Sequence, residues 1–273
     1  MLCFPNAKIN IGLNIIERRP DNFHNLETVF YPIPLSDILE IIEKDSFADA
    51  KAELVITGME IAGNPEANLC IKAYNLLNKD FDLPPVKILL HKIIPMGAGL
   101  GGGSSDGAFT LTLLNSLFEL NLTTEQLINY ASKLGSDCPF FINNKPAFGT
   151  EKGNRLKNIV LNIADHYLVL VKPPVFVGTA EAYAGIVPHW PSGSAAEWVK
   201  SPMKHWKSHI VNDFEKSVFE KHPEIKAIKS ELYNHGAIYA SMTGSGSAVY
   251  GIFDREVLLK KNFENCFYWA GKL

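Results

Sequence analysis

Apolar and polar residues alternate along the first part of the chain and predict strands there. From residue 7 to residue 16, Ile9 and the apolar residues after it take every second position, while Lys8 and Asn10 stand between them. Successive side chains of a strand point to opposite faces. The strand is therefore expected to have one buried face and one polar face, the latter either solvated or the wall of a site. Similar patterns predict strands over 25–32 and 86–94, and further strands of a mostly antiparallel sheet within 37–57.

Helical spacing of apolar residues marks the middle of the chain. It predicts one helix over 68–78 and another directly behind the glycine-rich segment that starts at Pro95. Thr123 and Gln126 have the spacing of a capping box, which predicts the start of a third helix. Gly135 is expected to end that helix.

The second half of the chain mixes strands and helices in the order of a split βαβ, ferredoxin-like unit with a helical insertion. We place the domain boundary near residue 155, which gives domains 1–155 and 156–273. Residues 188–202 are rich in Pro, Ser, Gly and Trp and are predicted to form a loop. The predicted strands are 166–171, 237–242, 248–253 and 267–270, and the predicted helices are 179–184, 206–235 with an interruption near Pro223, and 256–263.

Composition and charge narrow the class of protein. The 273 residues carry a formal net charge of −3, which argues against nucleic acid or an anionic membrane as the main partner. Hydrophobic residues are 47% and charged residues 20% of the chain, an ordinary globular composition. The four cysteines form no C-x-x-C pair, which favours reduced thiols in a cytoplasm over a zinc site or disulfides. Without a signal-peptide pattern or a run of ~20 apolar residues, we expect a cytoplasmic enzyme or binding protein.

The glycine-rich segment is the strongest candidate for chemistry. Five of the seven residues from Gly97 to Gly103 are glycine, and two serines and a helix follow. Glycines let backbone N–H groups approach phosphate, and a helix N-terminus adds donors and a positive dipole end; the alternative is a hinge or an ordinary glycine turn. A dinucleotide fold does not fit, because Pro95 ends the strand and the helix leads to another helix. Gly103 stands where a Walker loop has lysine, so a phosphate loop of another architecture remains.

Several motifs together resemble a known family. The segment Pro95–Ser105 resembles the phosphate loop of the galactokinase, homoserine kinase, mevalonate kinase and phosphomevalonate kinase (GHMP) superfamily. Residues 5–10, 21–24 and 134–139 narrow the resemblance to the 4-diphosphocytidyl-2-C-methyl-D-erythritol kinases, and 212–215 and 243–246 extend it to the second half of the chain.

The resemblance implies a fold, a reaction and its partners. The fold would be α+β, with an N-terminal domain like domain 2 of ribosomal protein S5 and a ferredoxin-like C-terminal domain. The enzyme would use ATP and Mg²⁺ to phosphorylate the 2-hydroxyl of diphosphocytidyl-methylerythritol in the non-mevalonate isoprenoid pathway. We expect a monomer or weak homodimer whose partner is this small molecule, with no nucleic acid and no membrane.

The resemblance also assigns roles to individual residues. Asp137 would accept the proton of the hydroxyl, and Lys8 would stabilise charge on the transferred phosphoryl group. Ser105 is also a candidate metal ligand. The residues expected to bind ATP are Pro95, Met96, Gly97, Ala98, Gly99, Leu100, Gly101, Gly102, Gly103, Ser104 and Ser105. The residues expected to bind the cytidine substrate are Asn10, Phe23, His24, Thr179 and Tyr183.

Two positions depart from the family pattern. Phe23 stands where tyrosine is usual, which keeps stacking on a cytosine ring but removes a phenol hydrogen bond. Ala98 replaces a common glycine and requires only a negative φ to be harmless.

Structural roles are the alternative for each of these residues. Lys8 would then be solvated on an edge strand, Asp137 would be a turn or N-cap residue, and Phe23 and His24 would be half-buried sheet residues. The turn at 243–247, expected to lie against the phosphate loop, would be a simple hairpin turn.

Other residues are given no role in the reaction. Lys92 and Lys145 are expected to be solvated, Cys138 to fill space, and His205 and His209 to bind no metal. For the whole protein, the alternatives are a mevalonate or homoserine kinase and a catalytically silent nucleotide-binding regulator.

Overall fold

The computed structural model describes residues 1–44, 51–61 and 64–273, and these ranges contain twelve strands and nine α-helices. The strands are β1 (Leu2–Cys3), β2 (Asn6–Arg18), β3 (His24–Ser36), β4 (Ile38–Glu43), β5 (Ala52–Gly58), β6 (Val86–Lys92), β7 (Ala147–Thr150), β8 (Arg155–Asn158), β9 (Tyr167–Lys172), β10 (Tyr239–Met242), β11 (Val249–Phe253) and β12 (Phe267–Lys272). The helices are α1 (Leu69–Phe81), α2 (Gly102–Leu117), α3 (Thr124–Leu134), α4 (Cys138–Asn143), α5 (Thr179–Ala184), α6 (Ala195–Trp198), α7 (Trp206–His209), α8 (Phe214–Lys221) and α9 (Pro223–Asn234).

The chain divides into two compact units, each assembled from separate stretches of sequence. The first unit comprises residues 1–7, 35–96 and 101–145, and the second comprises 8–34, 97–100 and 146–273. The division into domains 1–155 and 156–273 stays a prediction.

The first unit contains the sheet β1-β4-β6-β5 and helices α1 to α4. Strand β6 pairs antiparallel with β4 and parallel with β5, so the sheet is mixed. Helix α2 packs against α1 and α4 and buries much of its first three turns. The capping box of Thr123 and Gln126 forms as predicted. Of the predicted strands within 37–57, β4 and β5 are present, while residues 45–50 lie outside the described residues.

The second unit contains the predicted ferredoxin-like arrangement. The chain order is β9, the helices α8 and α9, then β10, β11 and β12, and the sheet order is β10-β11-β9-β12 with antiparallel pairing throughout. Helix α9 packs on β10 and β11. Its apolar face meets a core built from the strands, which includes Val169, Val171, Met242 and Val249. This unit also holds most of the sheet β2-β3-β7-β8.

Three predictions for the second half are wrong in detail. The helix predicted over 206–235 is interrupted at 210–213 as well as near Pro223, because the Leu13 N–H donates to the Val211 carbonyl (2.8 Å) and the Asp213 N–H donates to the Leu13 carbonyl (2.8 Å). These bonds to β2 take the backbone out of the helix, and Ile210 is extended. The loop predicted over 188–202 contains α6, which Ser194 caps at its N-terminus.

The helix predicted over 256–263 shortens to a 3-10 turn, Lys260–Phe263. The backbone N–H of Leu259 donates to the Tyr268 hydroxyl (3.2 Å) rather than to a helical carbonyl. Leu259 and Phe263 are buried whereas Leu258 is 86% exposed, so the apolar face is too narrow to support a longer helix.

Across the described ranges, no helix combines the length and apolarity needed to cross a bilayer.

Candidate active site

Lys8 lies in the interior of β2, not on a solvated edge. Its side chain is 3% exposed, and its ammonium donates to the Asn10 side-chain oxygen (2.6 Å) and to the Gly99 carbonyl (2.9 Å). The ammonium also stands 5.4 Å from the centre of the Phe30 ring. Because the Lys8 N–H donates to the Leu100 carbonyl (2.9 Å), backbone and side chain both tie the glycine segment to this strand. The polar face of β2 is therefore enclosed rather than solvated.

Asn10 uses its amide to orient this cluster. It is 3% exposed, and its Nδ2 donates to the Thr28 hydroxyl (2.9 Å) while its Oδ1 accepts from Lys8. Thr28 in turn donates to the Gly12 carbonyl (2.5 Å), and the Tyr250 hydroxyl donates to the Asn10 carbonyl (2.8 Å). Sequence inspection missed Thr28 and Tyr250, since no local motif distinguishes a buried hydroxyl that bonds to a residue on another strand.

The turn at 243–247 lies against the glycine segment, as the resemblance implied. The Thr243 hydroxyl donates to the Gly99 carbonyl (3.0 Å), and the Asn212 amide donates to the carbonyls of Met242 (2.8 Å) and Gly244 (2.9 Å). A Cβ on Gly99 would stand 2.0 Å from the Thr243 carbonyl oxygen. Only glycine allows this approach, so the interpretation as a simple hairpin turn does not hold.

The glycine segment alternates between two backbone conformations. Gly97, Gly99 and Gly101 have φ of +59°, +71° and +69°, whereas Ala98 and Leu100 have negative φ and are buried. The departure at Ala98 is therefore harmless, as expected. Alternation of this kind turns successive N–H groups toward a common side and creates an anion-binding concavity.

Helix α2 begins directly after this segment, at Gly102. The first-turn N–H groups of a helix have no acceptor within it, and a Cβ on Gly103 would meet no atom within 4 Å. The helix start therefore has both donors and open space for a phosphate group.

The two serines of the segment differ in exposure. Ser104 is half-buried, whereas Ser105 is fully buried, and its hydroxyl oxygen has no hydrogen-bond partner among the described residues. No cluster of three His, Cys, Asp or Glu suited to a metal occurs within 1–44, 51–61 and 64–273. Mg²⁺ held mainly by phosphate oxygens and waters needs no such cluster, and the buried Ser105 hydroxyl is a donor that fits it.

Asp137 occupies the N-cap position of α4 in the first unit. Its side chain is half-buried and does not accept a hydrogen bond from the first turn of that helix, so its carboxylate does not serve as a cap. Burial raises the pKa of the neighbouring Cys138 thiol to about 11. A protonated thiol is a poor nucleophile, which agrees with the packing role predicted for Cys138.

An aromatic stack brings together two of the residues assigned to the cytidine. The rings of His24 and Tyr183 stack with centres 4.8 Å apart, and Phe214 packs edge-on against Tyr183 at 4.8 Å. Thr179 begins α5 four residues before Tyr183, so both lie on one side of that helix. Burial, with a smaller contribution from Arg18, lowers the pKa of His24, which keeps its ring neutral at pH 7.

Phe23 stands apart from this stack. It is 58% exposed, and the Lys152 ammonium lies 3.9 Å from its ring centre while also pairing with Asp21 (2.9 Å). One face of the Phe23 ring is thus covered by a cation.

Lys92 is not solvated, and this prediction is wrong; Lys145 is exposed, as predicted. The Lys92 ammonium pairs with Asp37 and with Asp106 (2.8 Å), and all three side chains are at most 3% exposed. Burial raises the pKa of the Asp106 carboxyl, although Lys92 opposes this shift. Burial alone would lower the pKa of Lys92, but the two carboxylates raise it overall. The sequence does contain an indication that Lys92 is buried. Lys92 continues the alternating buried positions of β6, which are Val86, Ile88 and Leu90.

Comparisons with known proteins indicate the family to which this chain belongs. The family model described as "GHMP kinases N terminal domain" matches residues 68–145, and "GHMP kinases C terminal" matches residues 195–262. A Bacteroides fragilis protein named 4-diphosphocytidyl-2-C-methyl-D-erythritol kinase is 54% identical over 276 residues, covering 100% of both chains.

Solved structures show the same relationship. The crystal structure of a 4-(cytidine 5'-diphospho)-2C-methyl-D-erythritol kinase aligns with a TM-score of 0.76 and 31% identity, covering 92% of this chain and 90% of that one. The Methanococcus jannaschii mevalonate kinase covers 100% of this chain and 98% of its own, but at 14% identity its TM-score of 0.70 shows a likeness of fold alone. This chain belongs to the GHMP kinases and, within them, to the 4-diphosphocytidyl-2-C-methyl-D-erythritol kinase family.

Proposed function

We propose that the chain transfers the γ-phosphoryl group of ATP to the 2-hydroxyl of 4-diphosphocytidyl-2-C-methyl-D-erythritol, giving the 2-phosphate and ADP in the non-mevalonate isoprenoid pathway. The observation that carries the proposal is the buried Lys8 ammonium held against the Gly99 carbonyl of the glycine segment. A lysine that costs desolvation and is nonetheless fixed beside a phosphate loop suits charge stabilisation in phosphoryl transfer.

The segment Pro95–Ser105 would bind the triphosphate. Its alternating backbone and the N-terminal turn of α2 present N–H groups, which favour phosphate by hydrogen bonding and by the helix dipole. Lys8 would add a positive charge where negative charge develops on the transferred group. Because Lys8 is held by Asn10 and Gly99, little reorganisation is needed during the reaction.

Asp137 would act as the general base. The Asp137 carboxylate does not cap its own helix, and a carboxylate is a group that can accept the proton of the attacking hydroxyl. The assignment rests on the match of residues 134–139 to the family motif.

Cytidine recognition is assigned to His24, Tyr183, Phe23 and Thr179. The stacked rings of His24 and Tyr183 supply an aromatic surface, and the neutral imidazole of His24 can both donate and accept hydrogen bonds. For Asn10 we propose a positioning role, because its amide already accepts from Lys8 and donates to Thr28.

Mg²⁺ is proposed as the ion that accompanies ATP. When bound, it neutralises charge on the transferring phosphate groups. Ser105 is the proposed protein ligand, since its buried hydroxyl oxygen has no partner in the described part of the chain. A cytoplasmic location, the absence of a macromolecular partner and a monomer or weak homodimer complete the proposal.

The direct test is turnover by the purified protein with Mg-ATP and the cytidine substrate. We expect ADP release together with a new phosphomonoester at the 2-position, identified by phosphorus NMR. Mevalonate and homoserine, assayed in parallel, should give no product. Turnover of either one instead would reject the substrate, and ATP binding without turnover of any acceptor would favour a silent regulator.

Tyr183 offers a test of the cytidine assignment. Base–aromatic stacking is worth about 1–3 kcal/mol, so Tyr183→Ala should raise the KM for the cytidine substrate by roughly 5–150-fold. Tyr183→Phe keeps the ring and should restore most of the affinity. The KM for ATP, measured on the same samples, should change little in either variant. An equal rise in both KM values would mean that the ring supports the fold rather than the substrate.

A further inference from the structure

A buried ion cluster joins three segments of the first unit. Lys92, at the end of β6, bridges Asp37, which lies between β3 and β4, and Asp106, in the first turns of α2. We call these three residues the Lys92 triad. Two carboxylates and one ammonium, each at most 3% exposed, form no part of the catalytic scheme above.

The triad connects the two ends of the chain segment that forms the phosphate loop. On the incoming side, Asp37 Oδ1 accepts the N–H groups of Ile93 and Ile94 (2.9 Å for Ile94), directly before Pro95. On the outgoing side, Asp106 accepts from Lys92 at 2.8 Å. A Cβ on Gly102, the first residue of α2, would lie 3.4 Å from the Lys92 ammonium and 2.8 Å from the Ile94 side chain. The strand end and the helix start are thus packed directly together around the ammonium.

Stability alone is a weak reason for such a cluster. Desolvating three charges costs several kcal/mol per ion, and apolar residues of similar volume often stabilise a core as well or better. Moreover, Asp106 Oδ1 has no hydrogen-bond partner within the described residues, so the cluster is not fully satisfied. Unlike apolar packing, charged hydrogen bonds require a defined geometry. The ion pairs can therefore fix the relative positions of the segments that they join.

We propose that the Lys92 triad positions the phosphate loop: it fixes the spacing between the end of β6 and the start of α2, and thereby preorganises the backbone N–H groups that bind the ATP phosphates. The triad residues touch neither substrate in this scheme; they act through the backbone they hold. The inference deepens the proposed function and rests on it. A misplacement of about 1 Å can cost roughly a hundredfold in activity, so the effect is measurable.

Asp106→Ala is the decisive variant, because it removes the outgoing link and leaves the backbone intact. We expect a rise in the ADP dissociation constant, measured by calorimetry, and in the KM for ATP of roughly 10–100-fold. The KM for the cytidine substrate should change less than about twofold. Asp106→Asn retains an oxygen that can accept from Lys92, and it should recover most of the nucleotide affinity.

Thr110→Val is the matched control. Thr110 is fully buried one turn further along α2, and its hydroxyl donates to the Asp106 carbonyl (2.7 Å), so the change weakens the same helix without touching the triad's ion pairs. It should lower the melting temperature but leave ADP binding unchanged. Equal losses of ADP affinity in Asp106→Ala and Thr110→Val, or unaltered affinity in Asp106→Ala, would overturn the positioning role. A wild-type protein that binds no adenine nucleotide would instead reject the proposed function itself.

Discussion

Asp137→Asn is expected to slow phosphoryl transfer by about 10²–10⁴-fold, the range typical of removing a general base. The amide is nearly the same size as the carboxylate but cannot accept the proton of the attacking hydroxyl. Since the Asp137 side chain does not cap α4, its replacement removes no cap bond from that helix. The rate is measured as ADP release at saturating substrates, and ATP binding by calorimetry should stay within about twofold.

An exposed carboxylate provides the control for charge. Asp165 is 93% exposed and distant in sequence from every motif used above, so Asp165→Asn removes the same charge without a catalytic role. The rate of ADP release should therefore be about 10²–10⁴-fold lower in Asp137→Asn than in Asp165→Asn. If Asp137→Asn kept more than about a tenth of wild-type turnover, the base would have to be another group.

Gly99→Ala is expected to be the most disruptive single-methyl change in the chain's phosphate loop. The added Cβ would stand 2.0 Å from the Thr243 carbonyl oxygen, and the backbone would be held at φ +71°. Overpacking typically costs 1–3 kcal/mol and a left-handed conformation a further 1–2, so a loss of about 2–5 kcal/mol in the free energy of unfolding is expected. Denaturant titration measures it directly.

The functional consequence follows from the same contact. The Gly99 carbonyl accepts from both Lys8 and Thr243, so a displaced backbone should also weaken nucleotide binding in any variant molecules that remain folded. Gly103→Ala is the matched control, because no atom lies within 4 Å of its added Cβ and alanine favours helix over glycine. Its stability should equal or exceed that of the wild type. Equal destabilisation by both substitutions would contradict the role of the Gly99–Thr243 approach.

Local sequence patterns were sufficient to predict much of the secondary structure of the second unit. The short helix at Thr179–Ala184 and the order of the ferredoxin-like strands follow from periodicity and turn residues. Sequence patterns gave a wrong prediction where hydrogen bonds to a distant segment competed with the local preference for helix. The backbone at 210–213 has helical neighbours on both sides, but its groups bond to Leu13, almost 200 residues earlier in the sequence.

The residues of the candidate site likewise fall into those that sequence motifs could locate and those that only the structure reveals. The glycine segment, Lys8 and Asp137 could be located from motifs, because phosphate binding demands particular residue types in a short stretch. The hydroxyls of Thr28 and Tyr250 could not, because their partners are remote in sequence. Lys92 is intermediate: its register on β6 pointed inward, but only the positions of Asp37 and Asp106 explain how a charge can be buried there.

By itself, then, the sequence determined the class of fold, the family and the residues with candidate chemistry, since these depend on short-range patterns and on motif order. Only the tertiary structure decided that Lys8 is enclosed, that Asn10 accepts a hydrogen bond from it and that Lys92 pairs with Asp106 at the start of α2. The physical reason is that burial and hydrogen-bond satisfaction are properties of atoms brought together from distant segments. A residue's own neighbours in the chain do not specify them.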